Sequence, residues 1–370
     1  MPDGLPPPAP AAPRKGRGAV SNPDNRFEGI ARATFDDGWD HHEEEAPPPL
    51  ATTLTRDATR SVIAWNQSPD IGFDRAVNVY RGCEHGCIYC YARPSHAYLG
   101  LSPGLDFETK ISFKPEAASL LEKELRKPGY VCRPMALGSN TDPYQPVERT
   151  LKLTRQVLEV LEAFGHPVTI VTKSSLVLRD LDILSRMAAR KLARVAISVT
   201  TLDRGLARVM EPRAATPLRR VQAIGELVRA GVPASVMASP MIPGLNDAEL
   251  ERILEVSAQA GATGGSYILL RLPHELREMF TDWLHTHFPD RAAHVLSLIR
   301  QTRAGALNDA RFGHRFAGSG PYADLLAARF ARAARKLGLE RQRDGLDCTQ
   351  FRAPPAAQHG FAERQMAFAL

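Results

Sequence analysis

The sequence predicts an α/β fold built on a parallel sheet, and three observations carry that reading. From about residue 75 onward, six short runs rich in Val and Ile alternate with amphipathic helical stretches. Alternation of this kind implies parallel strands joined by right-handed crossovers. Helix stops fall where the pattern needs them, at Gly165, Gly231 and Gly261, and 44% apolar residues in a chain of 370 are ample for a core.

Residues 1–60 come first. Ten of the 29 prolines lie within residues 1–50, which end in a run of acidic residues and prolines. Such a segment buries too little apolar surface to offset chain entropy, so disorder is expected. Inside it, Gly16–Phe27 combines small residues with Arg17, Arg26 and Phe27. That stretch either lies across the folded domain or stays unstructured.

The strand-like runs follow at 76–80, 133–138, 167–172, 194–200, 234–239 and 265–270. Between them lie helical stretches at Leu153–Phe164, Leu178–Ala189, Leu218–Ala230 and Asp247–Ala260. In the last of these, Leu250, Ile253, Leu254 and Ser257 recur at helical spacing, and Asn246-Asp247 supplies a capping side chain at its start. The barrel-like part is thus bounded at 61–275. Residues 276–340 form a helical extension with a Gly-rich loop at Phe316–Tyr322, and 341–370 read as a flexible tail.

Directly after the first strand comes Cys83-Glu84-His85-Gly86-Cys87-Ile88-Tyr89-Cys90. Three thiolates spaced C-x-x-x-C-x-x-C in one tight loop suit three irons of a four-iron cluster and leave the fourth iron open. A disulfide framework is improbable with five cysteines and no secretory signal. A structural zinc wants four closed ligands, and His85, Cys132 and Cys348 form no second paired half.

At this point the chain resembles the radical S-adenosylmethionine (SAM) enzymes, in which this spacing, with an aromatic before the last Cys, is the signature. The continuation Tyr91-Ala92-Arg93-Pro94 resembles the spore photoproduct lyase-like branch, over roughly residues 70–270. The resemblance implies a partial (βα)6 radical SAM barrel, a [4Fe-4S] cluster held by Cys83, Cys87 and Cys90, and SAM as the second cofactor. The implied chemistry is reductive cleavage of SAM, giving a 5′-deoxyadenosyl radical that takes a hydrogen atom from substrate.

Chemistry in such barrels sits at the C-terminal strand ends, and the resemblance places SAM contacts there. Tyr89 shields the cluster or stacks on adenine, or is plain core. Ser139, Thr141 and Asp142 offer acceptors for the SAM ammonium, or form only a turn. Lys173 and Ser198 match positions that contact SAM in the lyase-like branch. Glu211 and Arg213 resemble the ribose- and carboxylate-binding turn of the superfamily, with a surface salt bridge as the other reading of Arg213. Tyr98, Tyr144 and His96 are candidates for passing electrons or hydrogen atoms at the mouth. Cys132 lies at the wrong end of its strand to donate a hydrogen atom and reads as a small buried residue.

Charge is unevenly spread. Residues 1–50 carry five Lys and Arg against nine Asp and Glu, whereas the remaining 320 carry 42 against 32. A basic body suits nucleic acid, but protein or small-metabolite substrates stay open, as does a non-catalytic protein with a structural metal loop. Arg329, Arg332 and Arg335 share one face of the last helix and read as solvated. No apolar run approaches the ~18 residues of a membrane span. The expectation is a soluble cytoplasmic enzyme served by a flavodoxin or ferredoxin.

Overall fold

The computed structural model describes residues 13–27, 50–340 and 345–355. Its strands are β1 (Thr53–Arg56), β2 (Ile63–Trp65), β3 (Arg75–Val77), β4 (Tyr80–Arg81), β5 (Lys110–Phe113), β6 (Met135–Leu137), β7 (Val168–Thr172), β8 (Ala193–Ser198), β9 (Ala234–Met241) and β10 (Gly265–Leu269). Seven form one sheet in the order β10-β9-β8-β7-β6-β3-β2. All neighbours in it are parallel except β2, which runs antiparallel to β3. Six parallel strands in chain order are the expected partial (βα)6 barrel, open between β10 and β2. A second sheet, β1-β5-β4, was not foreseen. Its strands are two to four residues long, too short for a period-2 pattern to stand out.

Strand β7 shows how the sequence makes this sheet. Val168, Ile170 and Thr172 are buried while Thr169 and Val171 are half-buried, as a strand covered on both faces requires. Helices Leu153–Ala163, Leu181–Ala189, Pro217–Arg229 and Leu250–Gln259 cover the outer face. The last buries Leu250, Ile253, Leu254 and Ser257, the four residues picked out by spacing. Helix Pro217–Arg229 begins on a proline, whose fixed φ suits the first turn, and ends just before Gly231 at φ +77°. Asn246 does not cap the next helix. Its side chain accepts from the Ile242 N–H (2.6 Å) and donates to the carbonyls of Thr200 (2.8 Å) and Pro240 (3.0 Å), so it staples the loop after β9 to the end of β8.

Two stretches expected to be loose pack on the barrel. Within the segment 1–60, β1 forms, and residues 17–20 are buried, Ala19 completely. The apolar Ala19 and Val20 join the cluster of side chains around Cys87, Ile88, Met210 and Leu270, which repays their ordering. Within 341–370, Phe351 lies among Tyr130, Phe164 and His166, and the Arg352 N–H donates to the Phe164 carbonyl (3.0 Å). Residues 1–12, 28–49, 341–344 and 356–370 of those two segments lie outside the described residues. Beyond β10, helices Leu276–His287, Pro289–Gln301 and Pro321–Lys336 form the extension. Arg329 pairs with Glu251 (2.6 Å) and Arg335 with Glu340 (3.5 Å), so that face is spent on intramolecular pairs and solvent. Among the described residues, no helix is long and apolar enough to cross a membrane.

Candidate cluster and cofactor site

The loop Cys83–Cys90 leaves β4 at the C-terminal end of the barrel. Cys83 and Cys87 are buried, Cys90 is half-buried, and all three thiols are free. Backbone bonds pin the loop to its neighbours. The Cys83 N–H donates to the Phe107 carbonyl (2.9 Å), the Ile88 N–H to Met210 (3.0 Å), and the Arg213 N–H to the His85 carbonyl (3.2 Å).

A buried lattice of charges holds the loop from behind. Arg93, fully buried, donates to the carbonyls of Cys87 (2.8 Å), Gly86 (3.1 Å), Pro103 (3.1 Å) and Gly104 (2.9 Å) and pairs with the buried Glu108. The Glu108 carboxylate also receives two N–H groups, that of Ala19 (2.8 Å) on the oxygen facing Arg93 and that of Gly18 (3.0 Å) on the other. Gly18 is needed there because a Cβ would lie 1.8 Å from the Gly86 carbonyl oxygen. On the opposite side, Glu84 accepts from Thr52 (2.8 Å) and the Val147 N–H (2.6 Å) and pairs with Arg213 (3.0 Å), while its own N–H donates to Gln145 (2.8 Å).

The donor set fits a four-iron cluster. Burial pushes the Cys87 thiol up to about 12 and Cys83 also well above its ordinary range, a cost that a bound cation would offset. Among the described residues, no three His, Cys, Asp or Glu side chains gather closely enough to hold one ion. Three separate irons each need one thiolate, whereas a structural zinc needs four ligands at one centre.

Above the loop the strand ends converge. The Tyr89 hydroxyl donates to Glu211 and lies 3.2 Å from the Thr200 hydroxyl. Glu211 forms a buried pair with Arg220 from helix Pro217–Arg229. Burial opposes the Glu211 charge, but Arg220 and Lys173 outweigh it and hold the carboxyl below its usual range. The Lys173 ammonium lies 5.5 Å over the Tyr89 ring and has no carboxylate partner among the described residues. Ser198 donates to the Ser239 carbonyl (3.0 Å), and Ser139 pairs with Asn78 (3.0 Å).

Other expected contacts are already engaged. Thr141 donates to the Gly82 carbonyl (2.6 Å). Asp142 accepts from Thr172 (2.7 Å), the Lys173 N–H (2.8 Å) and the Tyr144 N–H (2.9 Å) and lies 3.3 Å from His85. Burial works against its charge, yet His85 and these donors hold its carboxyl down to about 2. Arg213 faces Glu84 and Thr52. Beside it, a cavity of about 280 Å³ is lined by His85, Tyr144, Arg149, Ser174 and Arg219.

Three candidates do not meet at the mouth. The Tyr144 hydroxyl, buried, donates to Asp180 (3.1 Å), His96 bonds the Lys110 carbonyl (3.0 Å), and Tyr98 is exposed against Phe27. Cys132 is half-buried rather than buried. Its thiol is pushed up to about 12 by burial and by Cys348 beside it.

The residue reading missed Glu84, Arg93, Glu108 and Arg220. One signal was available: Arg220, Ala223, Ile224 and Leu227 share the buried stripe of their helix, and an arginine in such a stripe demands a buried acid.

Comparison with known proteins identifies the family. The Radical SAM superfamily model matches residues 77–256, which run from β3 to helix Leu250–Gln259 and include all three cysteines. The chain belongs to the radical SAM superfamily. An uncharacterised protein of Mycobacterium tuberculosis is 37% identical over 243 residues, spanning 64% of this chain and 72% of that protein. The radical SAM Nα-GlyT isomerase of Pseudomonas phage M6 is 24% identical over 230 residues, 60% of this chain and 45% of that one. Among solved structures, spore photoproduct lyase complexed with dinucleoside spore photoproduct matches with a TM-score of 0.53 at 15% identity, over 77% of this chain and 78% of that chain. That likeness concerns the fold. Membership makes this radical SAM protein an enzyme whose cofactors are a [4Fe-4S] cluster and SAM.

Proposed function

We propose that Cys83, Cys87 and Cys90 ligate the cluster and that the strand ends above them hold SAM for hydrogen-atom abstraction from a substrate at the barrel mouth. The observation that carries the reading is the trio of free thiols in one loop, with the Lys173 ammonium, without a carboxylate partner among the described residues, over the ring of Tyr89 in that loop. The cluster and SAM together supply reductive cleavage of the sulfonium and a 5′-deoxyadenosyl group able to take a hydrogen atom.

The chain's own residues bind and orient. Lys173 meets the SAM carboxylate, and the Ser198 and Thr200 hydroxyls suit the ribose. Tyr89, its hydroxyl fixed by Glu211, presents a ring face. Ser139, half-buried at the end of β6, has acceptor capacity left for the ammonium. Thr141, Asp142, Glu211 and Arg213 hold this arrangement through the bonds described above. Ile88, Met210, Ile242 and Leu270 exclude water from the cluster side. A flavodoxin or ferredoxin fits the cationic rim of the cavity at His85, where Arg149, Arg213 and Arg219 lie.

A nucleic-acid substrate is supported by the basic balance of residues 51–370; binding to DNA or RNA that weakens as salt rises would test it. The reaction itself is tested by anaerobic reconstitution with iron and sulfide, then SAM and dithionite. 5′-Deoxyadenosine should form and should disappear in Cys83→Ala, Cys87→Ala and Cys90→Ala. One bound zinc and no response to SAM would overturn the proposal.

A further inference from the structure

Arg271 lies two residues past the end of β10, at the open edge of the barrel. Its guanidinium carbon is 5.7 Å from the ring centroid of Tyr91 and 4.9 Å from that of Phe316. Tyr91 directly follows Cys90, and its hydroxyl donates to the Ser139 carbonyl, so the ring is fixed beside the cluster loop. The Arg271 Nε is buried and bonds to nothing among the described residues.

Other buried arginines differ. Arg93 and Arg220 each have a buried carboxylate; Arg303, whose Nε also has no partner among the described residues, gives its other N–H groups to the carbonyls of His314 (2.9 Å), Leu269 (3.2 Å) and Leu270 (2.6 Å). The nearby Arg315 is committed to Asp70, a pair that bridges the loop after β2 to the loop after helix Pro289–Gln301. Positive charge is therefore in surplus here. Burial, with Arg271 alongside, lowers Arg303 to about 10. Two ring contacts hold a guanidinium while its N–H fork keeps the geometry for a two-pronged bond to an oxyanion. Leaving such a charge half-buried and unpaired is costly unless a ligand completes it.

We propose that Arg271 anchors the substrate, receiving a phosphate or carboxylate group between Tyr91 and Phe316 at the open edge of the barrel. The assignment rests on the radical SAM reading above for the word substrate, but the anion site is testable alone. Phenyl phosphate and benzoate, with phenol as the neutral control, are titrated into the reconstituted full chain and followed by saturation-transfer NMR. At least one anion should bind more tightly than phenol and weaken as salt rises; which of the two binds better tells phosphate from carboxylate. Arg271→Gln should weaken that binding about tenfold or more, with part retained in Arg271→Lys. Unchanged anion binding in Arg271→Gln, or neither anion exceeding phenol, overturns the proposal. The change in the cluster's visible spectrum on adding SAM should persist in Arg271→Gln. Its loss there would place the guanidinium on SAM and overturn the substrate role. Absence of that change in the unaltered protein would instead count against the radical SAM reading, leaving the anion result to stand separately.

Discussion

Glu211 and Arg220 form a pair in which both side chains are almost completely buried. A pair of this kind contributes little net stability, but removing one partner strands a charge and costs about 3–5 kcal/mol. Arg220→Met should therefore lower the stability of the apoprotein by about that much in urea denaturation. The double variant Arg220→Met, Glu211→Gln should recover part of the loss; a double variant as unstable as the single one would mean that packing, not charge, sets the cost. Lys173 makes a different prediction because its ammonium forms no ion pair with a carboxylate among the described residues and acts on Glu211 only from a distance. Lys173→Met should leave the cluster spectrum intact while raising the SAM concentration for half-maximal 5′-deoxyadenosine formation by about tenfold, the worth of one charged hydrogen bond. An unchanged SAM requirement would remove Lys173 from the cofactor site. Strand-end position, residue type and the family resemblance together point to Lys173 from the sequence. The sequence left Asp142 between a SAM contact and a turn, and Arg213 between a SAM contact and a salt bridge, because their partners, His85 and Glu84, lie in a loop more than a hundred residues away from Arg213 and nearly sixty from Asp142.

At the scale of elements, six parallel strands were legible because each is a compact apolar run with a helix after it. The small sheet was not, and the N-terminal strap was left open between lying across the domain and staying unstructured. Composition alone made residues 1–60 look unable to fold, and the strap's order depends on a distant acid, Glu108, whose carboxylate takes the Gly18 and Ala19 N–H groups. Helix and strand periodicity carry no record of such a partner. The strap touches the cluster loop at Gly18 against Gly86, with no room for a side chain. Gly18→Val should lift residues 17–20 from the loop and admit water to Cys87. The measured outcome would be cluster loss to a chelator several-fold faster than in the unaltered protein, with far-ultraviolet circular dichroism unchanged. Equal rates would make the strap dispensable to the cluster.

For the whole molecule, stability carries a pH dependence set at one end of the barrel. At the end away from the cysteines, His166 is fully buried, bonded to the Tyr130 hydroxyl (2.8 Å) and the Pro167 carbonyl (3.0 Å), and covered edge-on by Phe351. Burial, aided by the Arg75 guanidinium, lowers its pKa from 6.5 to about 4. The unfolded chain thus binds a proton below pH 6.5 that the folded chain refuses until about pH 4. Stability from this group is complete above that range and falls as pH drops through it, by about 2 kcal/mol between pH 7 and pH 5. Phe351 sits on a segment that returns from the far end of the chain, so the acid sensitivity of the barrel depends on a residue beyond the last helix. Phe351→Ala should cost roughly 2 kcal/mol at pH 7 from lost packing and, by letting water reach His166, should shrink the further loss on going to pH 5. His166→Gln should shrink that loss without the Phe351 packing cost. Urea denaturation of the three proteins at both pH values checks the linkage: if the loss between pH 7 and pH 5 is the same in all three, His166 is not the group that titrates.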